Sequence, residues 1–150
     1  MKKINVNFLE PSPQQLNILL GYYQAGRYAD AEKLSLSITK KFPKHAFAWK
    51  VLGIVLKKTG RINEALFANQ KSVQLEPMNM ETNFNLGNTL QELGRLEEAE
   101  TYHRKAISIK PGYAEAHNNL GITFQRIGRL EEAEVSYRKA IKLKPDYAEA

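Results

Sequence analysis

The chain has no cysteine in its 150 residues. Disulfides, thiolate zinc sites and cysteine nucleophiles are therefore excluded, and a reducing, cytoplasmic setting is the expected one. Long apolar runs are also missing. No segment approaches the roughly 20 consecutive apolar residues that a membrane helix needs, so no membrane span is expected. The opening Met1-Lys2-Lys3-Ile4-Asn5-Val6-Asn7-Phe8-Leu9 starts basic but lacks the apolar stretch of a secretory signal. No GxGxxG, Walker loop or GxSxG elbow occurs, which leaves dinucleotide, triphosphate and serine-hydrolase chemistry without a sequence basis. The three histidines, His45, His103 and His117, stand at no helical metal-ligand spacing. No catalytic residue, cofactor or metal is expected, and the chain reads as a non-enzyme.

What is present suits a folded domain or a short array of repeats: 43% hydrophobic and 25% charged residues, with a net charge of +6. The charge is uneven. Residues 1–75 carry 12 Lys/Arg against 4 Asp/Glu, whereas residues 76–150 carry 10 against 12. A basic first half can steer an acidic partner, or it can be an ordinary solvated lysine surface.

The strongest signal is a period of 34. Gly94–Pro111 matches Gly128–Pro145 at 13 of 18 positions, and Tyr113-Ala114-Glu115-Ala116 returns as Tyr147-Ala148-Glu149-Ala150. The same spacing carries Gly26, Gly60, Gly94 and Gly128, then Ala31, Ala65, Ala99 and Ala133, then Pro43, Pro77, Pro111 and Pro145. Periods of this length mark repeat architectures.

These residues resemble the tetratricopeptide repeat (TPR), whose pattern is W-x2-L-G-x2-Y, then A-x3-F, then P. The second copy reads Trp49, Leu52, Gly53, Leu56, Ala65, Asn69, Pro77; the third, Asn83, Leu86, Gly87, Leu90, Ala99, His103, Pro111; the fourth, His117, Leu120, Gly121, Phe124, Ala133, Tyr137, Pro145. The first is the most divergent: Gln15, Ile18, Leu19, Tyr22, Ala31, Ser35, Pro43, with Leu19 in place of the small residue. The resemblance implies an all-α, right-handed α-solenoid of four helix pairs, about eight helices. Repeats are expected at 12–45, 46–79, 80–113 and 114–147, after a lead segment at 1–11, with 148–150 opening a truncated fifth. Ile4, Val6, Phe8 and Leu9 are placed to cap one end. At the other, either the chain is a fragment of a longer protein or the open C-terminal end self-associates.

Each repeat is expected to pair a helix A with a helix B, near 12–25 and 28–41, 46–59 and 62–75, 80–93 and 96–109, 114–127 and 130–143. The glycine of each Gly-Arg pair suits a left-handed cap, and the proline stops helix B. Gly53, Gly87 and Gly121 allow close helix approach. His103 and His117 occupy packing positions of the repeat and read as core. Glu97, Glu98, Glu131 and Glu132 complement helix dipoles, and Glu100–Arg104 and Glu134–Arg138 are favourable (i, i+4) pairs.

Numbering each repeat from its first residue, positions 4, 7, 8 and 11 of helix A form the core face, and positions 2, 5, 6, 9, 12 and 13 point oppositely. In a solenoid of this kind that second face lines the concave groove, the usual binding surface. It carries a partial asparagine ladder, Asn17, Asn85 and Asn119 with Asn88 and Asn118 beside it, interrupted by Val51. An amide both donates and accepts, so it can pair with a peptide backbone irrespective of side chains. The same face carries a basic patch, Lys50 and Lys57, with Lys58 and Arg61 near it.

The expected function is therefore a non-catalytic protein-interaction scaffold gripping an extended peptide or partner segment through Asn17, Lys50, Lys57, Asn85, Asn88, Asn118 and Asn119. The two-carboxylate clamp of chaperone-binding TPR domains is not expected: Lys50 and Asn85 fit it, but Ile54, Glu115 and Asn119 do not. The Asn118-Asn119-Leu120-Gly121 run is more similar to the TPR superhelix of O-linked N-acetylglucosamine transferase-like proteins. That similarity implies the alternative, a substrate-recognition region of a larger enzyme such as a glycosyltransferase. Nucleic-acid binding is the least favoured reading, because the groove lacks ordered aromatics for base stacking.

Overall fold

The computed structural model describes residues 10–145. Ile4, Val6, Phe8 and Leu9, expected to cap the first repeat, lie outside the described residues, as do residues 148–150. The described residues form eight helices and no strand: α1 (Pro13–Gln24), α2 (Tyr28–Lys41), α3 (Ala46–Lys58), α4 (Ile62–Leu75), α5 (Met80–Glu92), α6 (Leu96–Ile109), α7 (Ala114–Ile127) and α8 (Leu130–Leu143). The chain divides into two compact units, Met1–Leu75 with α1–α4 and Glu76–Ala150 with α5–α8. Within each unit successive helices pack on one another, and the two A helices, α1 with α3 and α5 with α7, also touch.

Local chemistry sets the helix ends. Ser12 starts α1 with a capping box: its hydroxyl accepts from the Gln15 amide at 3.1 Å while Gln15 accepts from the Ser12 amide at 3.3 Å. Asn79 caps α5 by accepting from the Thr82 amide at 3.2 Å. Between helix A and helix B of each repeat, Gly26, Gly60, Gly94 and Gly128 take φ of 71°, 81°, 76° and 92°, the left-handed region that only glycine enters cheaply. Each B helix ends two residues before its proline. The residue between, as at Phe42, Lys110 and Lys144, is held extended by the proline ring that follows.

Helix A is buried on more than the one face its pattern suggests. Beside Leu52 and Leu56, the first unit also buries Ala48, Val51 and Val55 of α3. Val51, read from the sequence as a groove residue, is a core residue: it is 3% exposed and packs with Leu19, Ile38 and Val55. The reason is that α3 is flanked by α1, α2 and α4 at once. In the second unit the positions of Ala48 and Val55 hold Thr82, Ala116, Thr89 and Thr123, all buried, whereas that of Val51 holds the half-buried Asn85 and Asn119. The threonine hydroxyls remain satisfied where a bond is seen: Thr82 donates to the Asn79 carbonyl at 3.0 Å and Thr123 to that of Asn119 at 3.0 Å.

The small residues at position 8 are sites of close approach. A Cβ on Gly53 would lie 2.0 Å from Asn69 Oδ1, one on Gly87 2.6 Å from His103 Cδ2, and one on Gly121 2.8 Å from Tyr137 Cδ1. In the first repeat the register is reversed: Leu19 stands where the glycine would be and Ser35 where the large residue would be, both fully buried. The α1–α2 contact is correspondingly less extensive than that of the other pairs.

A second periodic device ties α3, α5 and α7 to the preceding turn. Trp49 Nε1 donates to the Pro43 carbonyl at 2.8 Å, Asn83 Nδ2 to that of Pro77 at 2.9 Å, and His117 Nε2 to that of Pro111 at 2.8 Å. A carbonyl only accepts, so His117 carries its proton on Nε2. Three unlike side chains share one feature, an N–H at matching reach.

The Gly-Arg arginines form a third. Arg27, Arg61, Arg95 and Arg129 each hold the acid three residues on, with Nε–oxygen distances of 2.8, 3.0, 2.8 and 2.8 Å to Asp30, Glu64, Glu98 and Glu132. Arg61 also reaches Glu32, and Arg129 reaches Glu100 at 2.7 Å, so these two join consecutive repeats. The bonds from arginine hold the carboxyls of Glu64, Glu98 and Glu132 below their ordinary value of 4.5. A depressed folded value means the stabilisation is complete above the unfolded value and is lost as pH falls through the folded one. The melting temperature should accordingly hold steady above pH 4.5 and fall below it. Arg95→Gln with Arg129→Gln should flatten that fall, as thermal circular dichroism across pH would show. An unchanged acid profile would rule the clamps out as its source.

Candidate binding site

The A-helix faces carry every residue singled out as a binding candidate. In the second unit, α5 supplies Asn85 and Asn88 and α7 supplies Asn118 and Asn119, all half-buried. The structure brings Asn88 and Asn119 together: Asn119 Nδ2 donates to Asn88 Oδ1 at 2.6 Å. The same oxygen accepts from His103 Nε2 at 3.0 Å, which places the His103 proton on Nε2. Both lone pairs of Asn88 Oδ1 are thus occupied, and among the described residues its NH2 group donates to no protein group. Gln91 fixes the neighbouring turn of α7, its Nε2 donating to the Asn119 carbonyl at 2.9 Å and to Thr123 Oγ1 at 2.8 Å. Arg126 returns a bond to the Gln91 carbonyl at 2.7 Å. Among the described residues, the side chains of Asn85 and Asn118 hydrogen-bond to no protein group. The outcome is a half-buried amide surface whose centre is immobilised from behind by a fully buried histidine.

In the first unit, Asn17 lies exposed on α1, and Lys50 and Lys57 are half-buried on α3. The Lys50 ammonium stands 5.4 Å from the Phe47 ring centroid, and that of Lys58 5.9 Å from Tyr28. Arg61 does not belong to this basic patch: its guanidinium is committed to Glu64 and Glu32. Among the described residues, no three His, Asp or Glu side chains gather where they could hold a metal ion, and no helix is long and apolar enough to cross a membrane.

The repeat pattern marks His103 only as a packing residue, yet it anchors the amide pair. Gln91 falls at position 12 of its repeat, on the groove face read from the sequence, whereas Thr123, at position 10, does not; neither belongs to the repeat's consensus. The signal that finds them is their spacing, one helical turn beyond Asn88 and Asn119 on helices that touch.

Two family models, each described as tetratricopeptide repeat, match residues 16–77 and 79–146. No curated protein matches. Among solved structures, a crystal structure of MamA superposes with a TM-score of 0.82 at 24% identity, over 91% of this chain and 80% of that one. A MamA fragment from Desulfovibrio magneticus RS-1 gives 0.81 at 22% identity, over 88% and 75%. YrrB, described as a TPR protein with an unusual peptide-binding site, gives 0.81 at 26% identity, over 88% and 68%. The likeness to MamA is one of fold.

Proposed function

Because the chain belongs to the tetratricopeptide-repeat family, we propose that it is a non-catalytic protein-interaction scaffold that holds an extended polypeptide against its A-helix faces. The observation that carries this reading is the Asn88–Asn119 amide pair, set by His103 and Gln91. Amides whose orientation is already fixed lose little entropy on binding, and their remaining N–H and C=O groups match a peptide backbone whatever its side chains. Asn85 and Asn118 extend the same surface. Lys50 and Lys57, on the corresponding face of the first unit, suit carboxylates on the partner. The peptide-binding site ascribed to YrrB supports the class of ligand.

The test uses unstructured peptides selected by display against the whole chain and then titrated calorimetrically. Asn85→Ala with Asn119→Ala removes two backbone-pairing amides, each worth about 1 kcal/mol, so affinity should drop about 30-fold. Far-ultraviolet circular dichroism should stay unchanged, since neither side chain is fully buried. Unchanged affinity would refute the amide role.

A further inference from the structure

In the first unit, the opposite side of the helix layer holds a hollow of about 430 Å³ between α2, α3 and α4. Its apolar walls are Leu36, Trp49, Leu52, Leu56 and Phe67, and Thr39, Asn63 and Glu64 also line it. Leu36 is 47% exposed and Phe67 55%. The indole N–H of Trp49 is already spent on Pro43, and its ring meets Phe67 edge-on at 5.8 Å, so this aromatic side of the hollow is apolar, while the Glu64 carboxylate is held by Arg61. Phe67 is widely exposed for a side chain of its size.

The repeat does not force such a surface. In the second unit the same positions form a hollow of about 400 Å³, but there Arg104 replaces Leu36 and Val135 replaces Phe67. Arg104 lies over Phe124 at 5.4 Å and bonds Glu100 at 2.9 Å, so a charge roofs that hollow. In the first unit Leu36 leaves it open.

The rim is basic. Lys33 and Lys40 stand three before and four after Leu36, on one stripe of α2, and Lys71 stands four after Phe67 with its ammonium 5.6 Å from that ring. The acids of these helices are taken: Asp30 by Arg27, and Glu32 and Glu64 by Arg61. Among the described residues, Lys33, Lys40 and Lys71 meet no carboxylate. We propose that this slot is a second binding surface, which takes one bulky apolar side chain from an acidic peptide. The anchor fills the apolar hollow, and the flanking carboxylates meet the lysines, which fixes direction and speeds encounter.

Trp49 is the only tryptophan in the chain, so its emission reports occupancy of this slot and not of the amide face in the second unit. The probe is a short Asp/Glu-rich peptide with one central phenylalanine and no tryptophan. Two control peptides carry alanine for the phenylalanine, or Asn/Gln for the acids. The acidic phenylalanine peptide should shift Trp49 emission saturably, and each control should bind about ten-fold more weakly or less. Added salt should weaken the titration. Leu36→Arg, which installs the residue of the second unit at an exposed position, should abolish the shift with the circular dichroism spectrum unchanged. No shift with the folded wild type would overturn the proposal, as would equal binding of both controls. A shift with anionic phospholipid vesicles but not with the peptide would overturn it in favour of a membrane surface.

Discussion

Replacing Leu19 by alanine should remove about 2–5 kcal/mol of folding free energy, the range for emptying a fully buried leucine site. Leu19 is 0% exposed and packs among Ala31, Ile38, Ala48, Val51 and Val55, where α1 meets α2 and α3. The size of the effect follows from a swap of volume between two repeat positions. In the later repeats a glycine on helix A faces a large side chain on helix B: Gly53 with Asn69, Gly87 with His103, Gly121 with Tyr137. In the first repeat the large residue is Leu19 and the small one is Ser35, also 0% exposed. Ser35 cannot expand to fill what Leu19 vacates, so the cavity persists. Leu19→Gly should be worse than Leu19→Ala by about 1 kcal/mol, the helix penalty of glycine. Adding Ser35→His to Leu19→Gly should return part of the loss by recreating the pairing of the third repeat. Denaturant unfolding followed by Trp49 emission reads this directly, because α3 packs on both α1 and α2. A double variant no better than Leu19→Gly alone would show that the two positions do not exchange volume.

Residues whose role is set by the backbone are legible in the sequence. A left-handed cap admits glycine almost alone, and a proline halts a helix wherever it falls, so Gly26, Gly60, Gly94 and Gly128 and the four prolines place the helix ends to within a residue. Roles set by a shared atom are not legible. Trp49, Asn83 and His117 look unrelated, and only the common bond to a proline carbonyl shows what they share. The first-turn glutamates read as dipole partners, but Glu98 and Glu132 answer to a specific arginine each. A two-faced helix pattern also under-counts burial: it leaves Val51 on the groove side, whereas a helix packed against three others buries more than one stripe. At the candidate site, Asn85, Asn88, Asn118 and Asn119 can be named from their period. The bond from Asn119 to Asn88 depends on how closely α5 approaches α7, which no spacing within one helix encodes. Leu36 and Phe67 do not stand out by sequence because single exposed apolar residues are ordinary on protein surfaces.

The second large effect is expected at Gly87. Alanine inside a helix normally stabilises by about 1 kcal/mol over glycine, and at Gly21, where an added Cβ meets nothing within 4 Å, that gain should be realised. At Gly87 the sign should reverse. The new Cβ would lie 2.6 Å from His103 Cδ2 and 2.7 Å from Nε2. His103 is 0% exposed, its Nε2 is bonded to Asn88, and the Phe84 ring sits 6.1 Å away, so the imidazole has no free space to enter. Gly87→Ala should therefore destabilise the chain by about 1–3 kcal/mol, the usual cost of overpacking a dense core. His103→Ala removes the obstacle, so the Gly87→Ala/His103→Ala pair should lose less than the two single losses added together, with a coupling of about 1–3 kcal/mol. Additive losses would mean the ring does not block the alanine. The same displacement reaches the binding face, because the ring that fits under Gly87 is the ring that holds Asn88 Oδ1, which in turn receives Asn119. Gly87→Ala should weaken peptide capture under conditions where the variant is still fully folded, whereas Gly21→Ala should leave capture unchanged. If Gly87→Ala binds peptide as well as the wild type, the orientation of Asn88 is not what the amide surface depends on.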